Sequence, residues 1–221
     1  MDMDQKAKEG EYRYRSYRDD DLEILSKLVR TTWDYDSFLP EKTAACMAKT
    51  DLLGCLTYAD YTEVVEQDGI PVGFLLASYG KSKEKKVFSK KKEEAYNRAK
   101  EDLKKCPFGG MLLFFTACMD RVNEGLIKKS HTPYFTELSF FVLQESCRGK
   151  GIGKSLYQHL LCALNQEGIN GLYVKTDTMS NYRFYEHMGF RRAAKKQFGI
   201  PFLKKAQISL LLYEKSLVEI R

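Results

Sequence analysis

Residues 147–155, CRGKGIGKS, constrain the fold of this chain more than any other stretch. They follow an aromatic and branched run, residues 134–143 (YFTELSFFVL), that reads as a strand. They lead into Leu156, Leu160, Leu161 and Leu164, an apolar face at helical spacing that Gly168 closes. A strand, a glycine-rich turn and a helix in that order gather backbone N–H groups and the positive end of the helix dipole around one point, which suits an anion. The chain is therefore expected to be an α/β protein that carries this loop between a strand and a helix. Both a nucleotide phosphate and a coenzyme phosphate answer to that description.

A Walker A loop requires G-x-x-x-x-G-K-[ST], because the first glycine lets the backbone wrap the β-phosphate while the lysine reaches the terminal phosphates. Gly153, Lys154 and Ser155 match its end, but Arg148 stands where the first glycine belongs. Downstream, Lys175 interrupts LYVKTD, where an unbroken apolar strand before an aspartate is wanted. The nucleotide reading thus lacks its context. Read from Arg148, the same residues become R-G-K-G-I-G, of the form [QR]-x-x-G-x-[GA]. Gly149, Gly151 and Gly153 permit close backbone approach, Ile152 lies between the last two, and Arg148, Lys150 and Lys154 add positive charge.

The rest of the chain supplies alternating layers. EYRYRSY alternates like a half-buried strand, RDDD offers N-caps, and LEILSKLVRTTW reads as a helix. Residues 41–58 read as a second helical region, interrupted near Gly54. YTEVVEQ and IPVGFLLASY, joined at Asp68 and Gly69, predict a hairpin. Residues 81–105 carry eleven Lys and Arg against five Asp and Glu, which accounts for the whole net charge of +6. There Phe88, Ala95, Ala99 and Leu103 predict a weakly amphipathic exposed helix, with Glu94/Arg98 and Glu101/Lys105 spaced for ion pairs. An apolar helix is expected from Met111 to about Lys128. GLYVKTD predicts a strand, residues 181–187 a short helix, and QISLLLYEK a last strand.

Two segments carry a family likeness. ELSFFVLQESCRGKGIGKSLYQHLL resembles the strand, acyl-CoA pyrophosphate loop and helix of the GNAT superfamily of N-acetyltransferases, and NYRFYEHMGFRR resembles that family's second signature. The resemblance covers nearly everything except residues 81–130. It implies a single GNAT-type acyl-CoA N-acyltransferase domain over residues 1–221: a central mixed, mostly antiparallel sheet flanked by helices, with 81–130 as a lysine-rich helical insertion. It implies transfer of acetyl from acetyl-CoA to a primary amine, of a small molecule or a protein, by direct attack in a ternary complex. By the same likeness, residues 148–154 hold the pyrophosphate, backbone N–H groups near Val142 and Leu143 meet the thioester carbonyl, and Asn181 meets the pantetheine arm. Tyr185 matches the general acid, lies near the sulfur, and as a phenol of pKa about 10 keeps its proton at neutral pH. Glu137 lies where many members carry a general base, useful because an aliphatic ammonium of pKa about 10 must lose a proton before it attacks. The plainer readings are a structural carboxylate at Glu137 and a core aromatic at Tyr185.

The resemblance also implies that the connection between the first two helices, here TTWDYDSF, borders the acceptor. Trp33 and Tyr35 would face a cation that Asp34 and Asp36 attract, and the plainer reading makes those aspartates caps of solvated turns. The lysine-rich segment reads as a solvated face rather than a nucleic-acid surface, since only Phe88 and Tyr96 accompany its charge. A lid over the acceptor, or a homodimer contact through MLLFFTACM, is the other use open to the insertion. Alternatives at the level of function are a different acyl donor, an alcohol acceptor, and a non-catalytic CoA-binding or nucleic-acid-binding module that works through the basic segment. The six cysteines form no CxxC pair, the three histidines share no ligand spacing, and Cys147 has no evident base beside it, so no metal and no cysteine nucleophile are expected. With no run near the roughly 20 apolar residues of a membrane span and no apolar leader, a cytoplasmic protein is expected.

Overall fold

The computed structural model describes residues 12–79, 86–129, 136–199 and 207–217. The chain runs β1 (Tyr12–Arg15), α1 (Leu22–Thr32), α2 (Glu41–Leu56), β2 (Tyr61–Gln67), β3 (Ile70–Ser78), α3 (Lys86–Lys104), α4 (Gly109–Lys129), β4 (Glu137–Leu143), α5 (Ile152–Gln166), β5 (Gly171–Asp177), α6 (Arg183–His187), β6 (Arg191–Gly199) and β7 (Gln207–Ser216). Seven strands form one sheet in the order β1-β2-β3-β4-β5-β7-β6, antiparallel throughout except between β4 and β5. This is the mixed, mostly antiparallel sheet expected from the sequence.

Alternation along the strands sorts side chains between two layers. Val64, Phe74, Leu76, Phe140 and Val142 pack under α1 and α2, while Val65, Leu75, Ala77, Leu138, Leu172 and Val174 pack against Leu156, Leu160 and Leu164 of α5. At the far end, Leu126 of α4 covers Ile208, Leu210 and Leu212 of β7 on the α1–α2 face. In β4 the alternation slips. Leu76 pairs with Phe140 but its neighbour Ala77 pairs with Leu138, leaving Ser139 as a bulge. Glu137, Phe140 and Val142 therefore share the α1–α2 face, and Leu138 and Phe141 the α5 face.

The hairpin turn is of the tight kind its sequence predicts: Asp68 has φ 53° and Gly69 φ 80°, the double positive φ of a type I′ turn. Three expectations need correction. Gly54 does not interrupt α2, which is continuous through it; a Cβ there would lie 3.2 Å from the Tyr96 ring of α3, so the glycine is the seat on which α3 packs. Within α3, the ion pairs seen among the described residues join Glu101 with Lys104 and Asp102 with Lys105, each three residues apart, rather than at i,i+4. Residues 191–199, which no periodic pattern assigns to an element, form the edge strand β6. The expected first residues of α3 and β4 lie partly outside the described residues, as does His131.

Candidate active site

The fork between β4 and β5 creates the site. These strands run parallel and share one paired position, Glu137 with Tyr173, supported by the Tyr173 N–H donating to the Thr136 carbonyl at 2.9 Å. Beyond it they part, and a cleft of about 570 Å³ opens through the sheet. One face contributes Thr32 and Trp33 from the end of α1; the other contributes Arg148, Gly149, Gly151, Gly153 and Lys154 of the loop, with Asn181, Phe184 and Tyr185. Phe141 and Leu143 line one wall and Lys175, Thr176 and Asp177 the other.

The register decides which amides of β4 point into that gap. The Gln144 N–H donates to the Val72 carbonyl at 2.7 Å, so Val142 and Phe74 form a hydrogen-bonded pair. The Val142 N–H is thus spent on β3, while those of Phe141 and Leu143 face the parted side. Val142 is buried under α1 and α2 with its side chain away from the cleft.

After Leu143 the chain makes one short turn and enters the loop. Gly149 has φ 76° and Gly151 φ 82°, left-handed conformations that favour glycine, and α5 starts at Ile152. Left-handed turns next to a helix start direct successive N–H groups to one side, and the first amides of α5 have no partner within the helix. Arg148, whose Nε donates to the Leu143 carbonyl at 3.1 Å, and Lys154 add positive charge at the rim. Lys150 is exposed and Ile152 buried in the core, and neither lines the cleft. Gly153 has ordinary room, since a Cβ added to it would meet Phe141 at 3.6 Å, so its role differs from that of the two glycines before it.

Tyr185 is fixed by the anchoring of α6. Tyr213 OH donates to Glu186 Oε1 at 2.6 Å, and Lys215 Nζ to the Met188 carbonyl at 2.6 Å. The Tyr185 ring meets Phe184, Phe190 and Tyr213 at centroid distances of 5.5, 5.7 and 6.3 Å, and burial raises its pKa above that of an ordinary phenol. Asn181 accepts the Phe184 N–H at 3.1 Å and is exposed at the cleft edge. Asp177 Oδ1 accepts from Met179 and Ser180 N–H at 2.7 and 2.9 Å, an Asx turn that carries β5 toward this helix.

Glu137 stands at the closed end of the fork. Its Oε1 is 2.9 Å from Lys175 Nζ, and its Oε2 accepts from Tyr173 OH at 3.1 Å. Lys175 is a cleft residue that sequence reasoning noted only as a break in an apolar strand; that break was the available signal. Of the four acceptor candidates, Trp33 lines the cleft and packs edge-on against Phe140 at 5.4 Å. Tyr35 instead turns inward, donating to Asp51 Oδ2 at 2.6 Å, and Asp36 holds Arg30 through Oδ2 at 2.7 Å. Asp34 is exposed, has φ 48°, and does not line the cleft. Cys147 is buried, its Sγ 3.6 Å from Gln67 Oε1, and no group of three or more His, Cys, Asp or Glu among the described residues could hold a metal ion. Among them also, no helix is long and apolar enough to cross a membrane.

Residues 17–190 match the model of the acetyltransferase (GNAT) family. No curated protein sequence matches the chain. Among solved structures, the ribosomal-protein-S18-alanine N-acetyltransferase from Escherichia coli is similar at a TM-score of 0.51 and 11% identity, covering 96% of this chain and 97% of that one. An N-acetyltransferase from Staphylococcus aureus Mu50 is similar at 0.50 and 17%, with 94% and 99% covered. The Salmonella typhimurium protein yncA, solved with its cofactor acetyl-CoA, is similar at 0.51 and 14%, with 96% and 97% covered. At these identities the likeness is one of fold.

Proposed function

The chain belongs to the GNAT family of acetyltransferases, and from that premise we propose that it transfers acetyl from acetyl-CoA to a primary amine by direct attack within a ternary complex. The observation that carries this reading is the cleft through the parted strands, lined from both faces of the sheet. Donor and acceptor can then approach each other from opposite sides.

The residues present fit the coenzyme. The left-handed Gly149 and Gly151, the open amides of α5, Arg148 and Lys154 form a cradle for a pyrophosphate, and Asn181 stands beside the path of the arm. When bound, acetyl-CoA supplies an acyl group activated as a thioester. The amides of Phe141 and Leu143 face the cleft and can donate to a carbonyl oxygen on which negative charge grows. Tyr185, kept protonated by its burial, is the proton source for a departing thiolate. Glu137 is assigned the acceptor's proton, and Trp33 the wall against which the acceptor rests.

Thermal unfolding tests the donor. Acetyl-CoA at about 100 times its dissociation constant should stabilise the protein by about 2.7 kcal/mol. Stabilisation by ATP with magnesium and none by acetyl-CoA would overturn the reading. Thiol release across a panel of amines, with and without Tyr185→Phe, then tests transfer.

A further inference from the structure

Lys175 is the one cation in β5, GLYVKTD, and it lies inside the cleft with its side chain 26% exposed. Its ammonium is bound by Glu137 at 2.9 Å, at the last position where β4 and β5 pair. An amine in that place shares one cleft with the loop and Tyr185, the residues assigned above to the donor. Only the neutral form of an amine attacks a carbonyl, so the charge on Lys175 decides whether it competes with the acceptor.

Burial, the largest influence on Lys175, lowers its pKa and favours the neutral amine. Glu137, through its charge and its hydrogen bond, and Asp120 of α4 outweigh burial and raise the pKa above the ordinary lysine value. Without the Glu137 charge, its strongest support is gone and the burial effect remains.

Resting on the donor assignment above, we propose that Lys175 is a latent acetylation site and that its ion pair with Glu137 is a lock that keeps the protein's own amine from taking the acetyl group. With the lock open, the lone pair of the neutral Lys175 nitrogen forms a bond to the acetyl carbonyl carbon and the carbon–sulfur bond of acetyl-CoA breaks. The electron pair leaves on sulfur, which takes up the proton that nitrogen loses. The products are Nε-acetyl-Lys175 and free CoA, and no further reactant is needed. Glu137 thereby has a task besides any proton transfer from the acceptor: it guards the donor in the interval before an acceptor arrives.

The test is a timed incubation of the wild type and Glu137→Gln with acetyl-CoA at neutral pH, followed by digestion and mass spectrometry of the peptide containing Lys175. Each unit by which the ammonium's pKa falls gives about tenfold more neutral amine. Lys175 should therefore be acetylated about tenfold faster or more in Glu137→Gln, while the exposed Lys195 and Lys196 react equally in both proteins. Tyr173→Phe removes a hydrogen bond from Glu137 but no charge, and should behave as the wild type does. A Glu137→Gln protein that acetyl-CoA stabilises against heat but whose Lys175 stays unmodified overturns the lock, as does acetylation of Lys175 in Tyr173→Phe at the Glu137→Gln rate. Should Glu137→Gln not fold, a pH series on the wild type decides: Lys175 is expected to lag behind Lys195 and Lys196, and equal rates overturn the proposal. A wild type that acetyl-CoA does not stabilise removes the donor assignment itself, and the same thermal measurement distinguishes that failure.

Discussion

At Tyr185 and Gly151, single atoms decide what the site can do. The phenol is held among aromatic rings that raise its pKa, so it remains protonated at every pH where the protein is expected to work. Tyr185→Phe is expected to lower kcat by about 100-fold or more, the usual scale of losing a general acid, while thermal stabilisation by acetyl-CoA is kept. Equal turnover in the variant would assign the ring to packing alone. At Gly151 the constraint is conformational, because φ 82° costs a residue with a Cβ about 1–2 kcal/mol. Gly151→Ala should lower both stability and affinity for the coenzyme; Gly153→Ala, with ordinary contact to Phe141, should do less. Calorimetry on the two variants separates these outcomes. The sequence marks both glycines equally, because spacing identifies a loop but does not say which member of it turns left-handed.

Elements are legible where their residues repeat with a period, and less so where a neighbour decides. The strands around the core and the two halves of the insertion announce themselves by alternation and by helical spacing, whereas β6 reads RRAAKKQFG and keeps most of its side chains exposed. Edge strands carry charge to discourage pairing with other chains, so that strand's polarity hides it. Gly54 reads as a break because glycine weakens helices, yet Tyr96 of α3 rests upon it. Gly54→Val is expected to destabilise the fold by about 1–3 kcal/mol through that collision, and a second change, Tyr96→Ala, should recover part of the loss in a double-mutant cycle. On the same helix, burial pushes Asp51 from 3.8 up to about 7, against the opposing bond from Tyr35. The folded protein then binds a proton that the unfolded chain has released, so this residue's contribution to stability falls as pH rises from about 4 to about 7. Asp51→Asn should flatten that part of the profile of Tm against pH, and an unchanged slope would place the dependence elsewhere.

At the scale of the molecule, the site is made by an absence of pairing, which no local pattern in the sequence encodes. The loop can be named from residue types and spacing, and Asn181 and Tyr185 from the family likeness of the segment that carries them. The fork that gives them a common cleft depends on how far β4 follows β5, and only the assembled sheet sets that. The side chains of Tyr35 and Asp36 show the same limit, since partners on α2 and α1, Asp51 and Arg30, turn them away from the cleft. The insertion likewise has a use its charge does not reveal: α4 roofs β7, so the segment is part of the domain's packing as well as its most basic surface. Ser139 bears on all of this. A strand with one surplus residue changes phase partway along, so its two halves answer to opposite sides of the molecule. Deleting Ser139 would restore a uniform beat and still leave Glu137 on the α1–α2 face beside Lys175, because the surplus residue is what lets Leu138 and Phe140, two positions apart in sequence, answer to opposite layers.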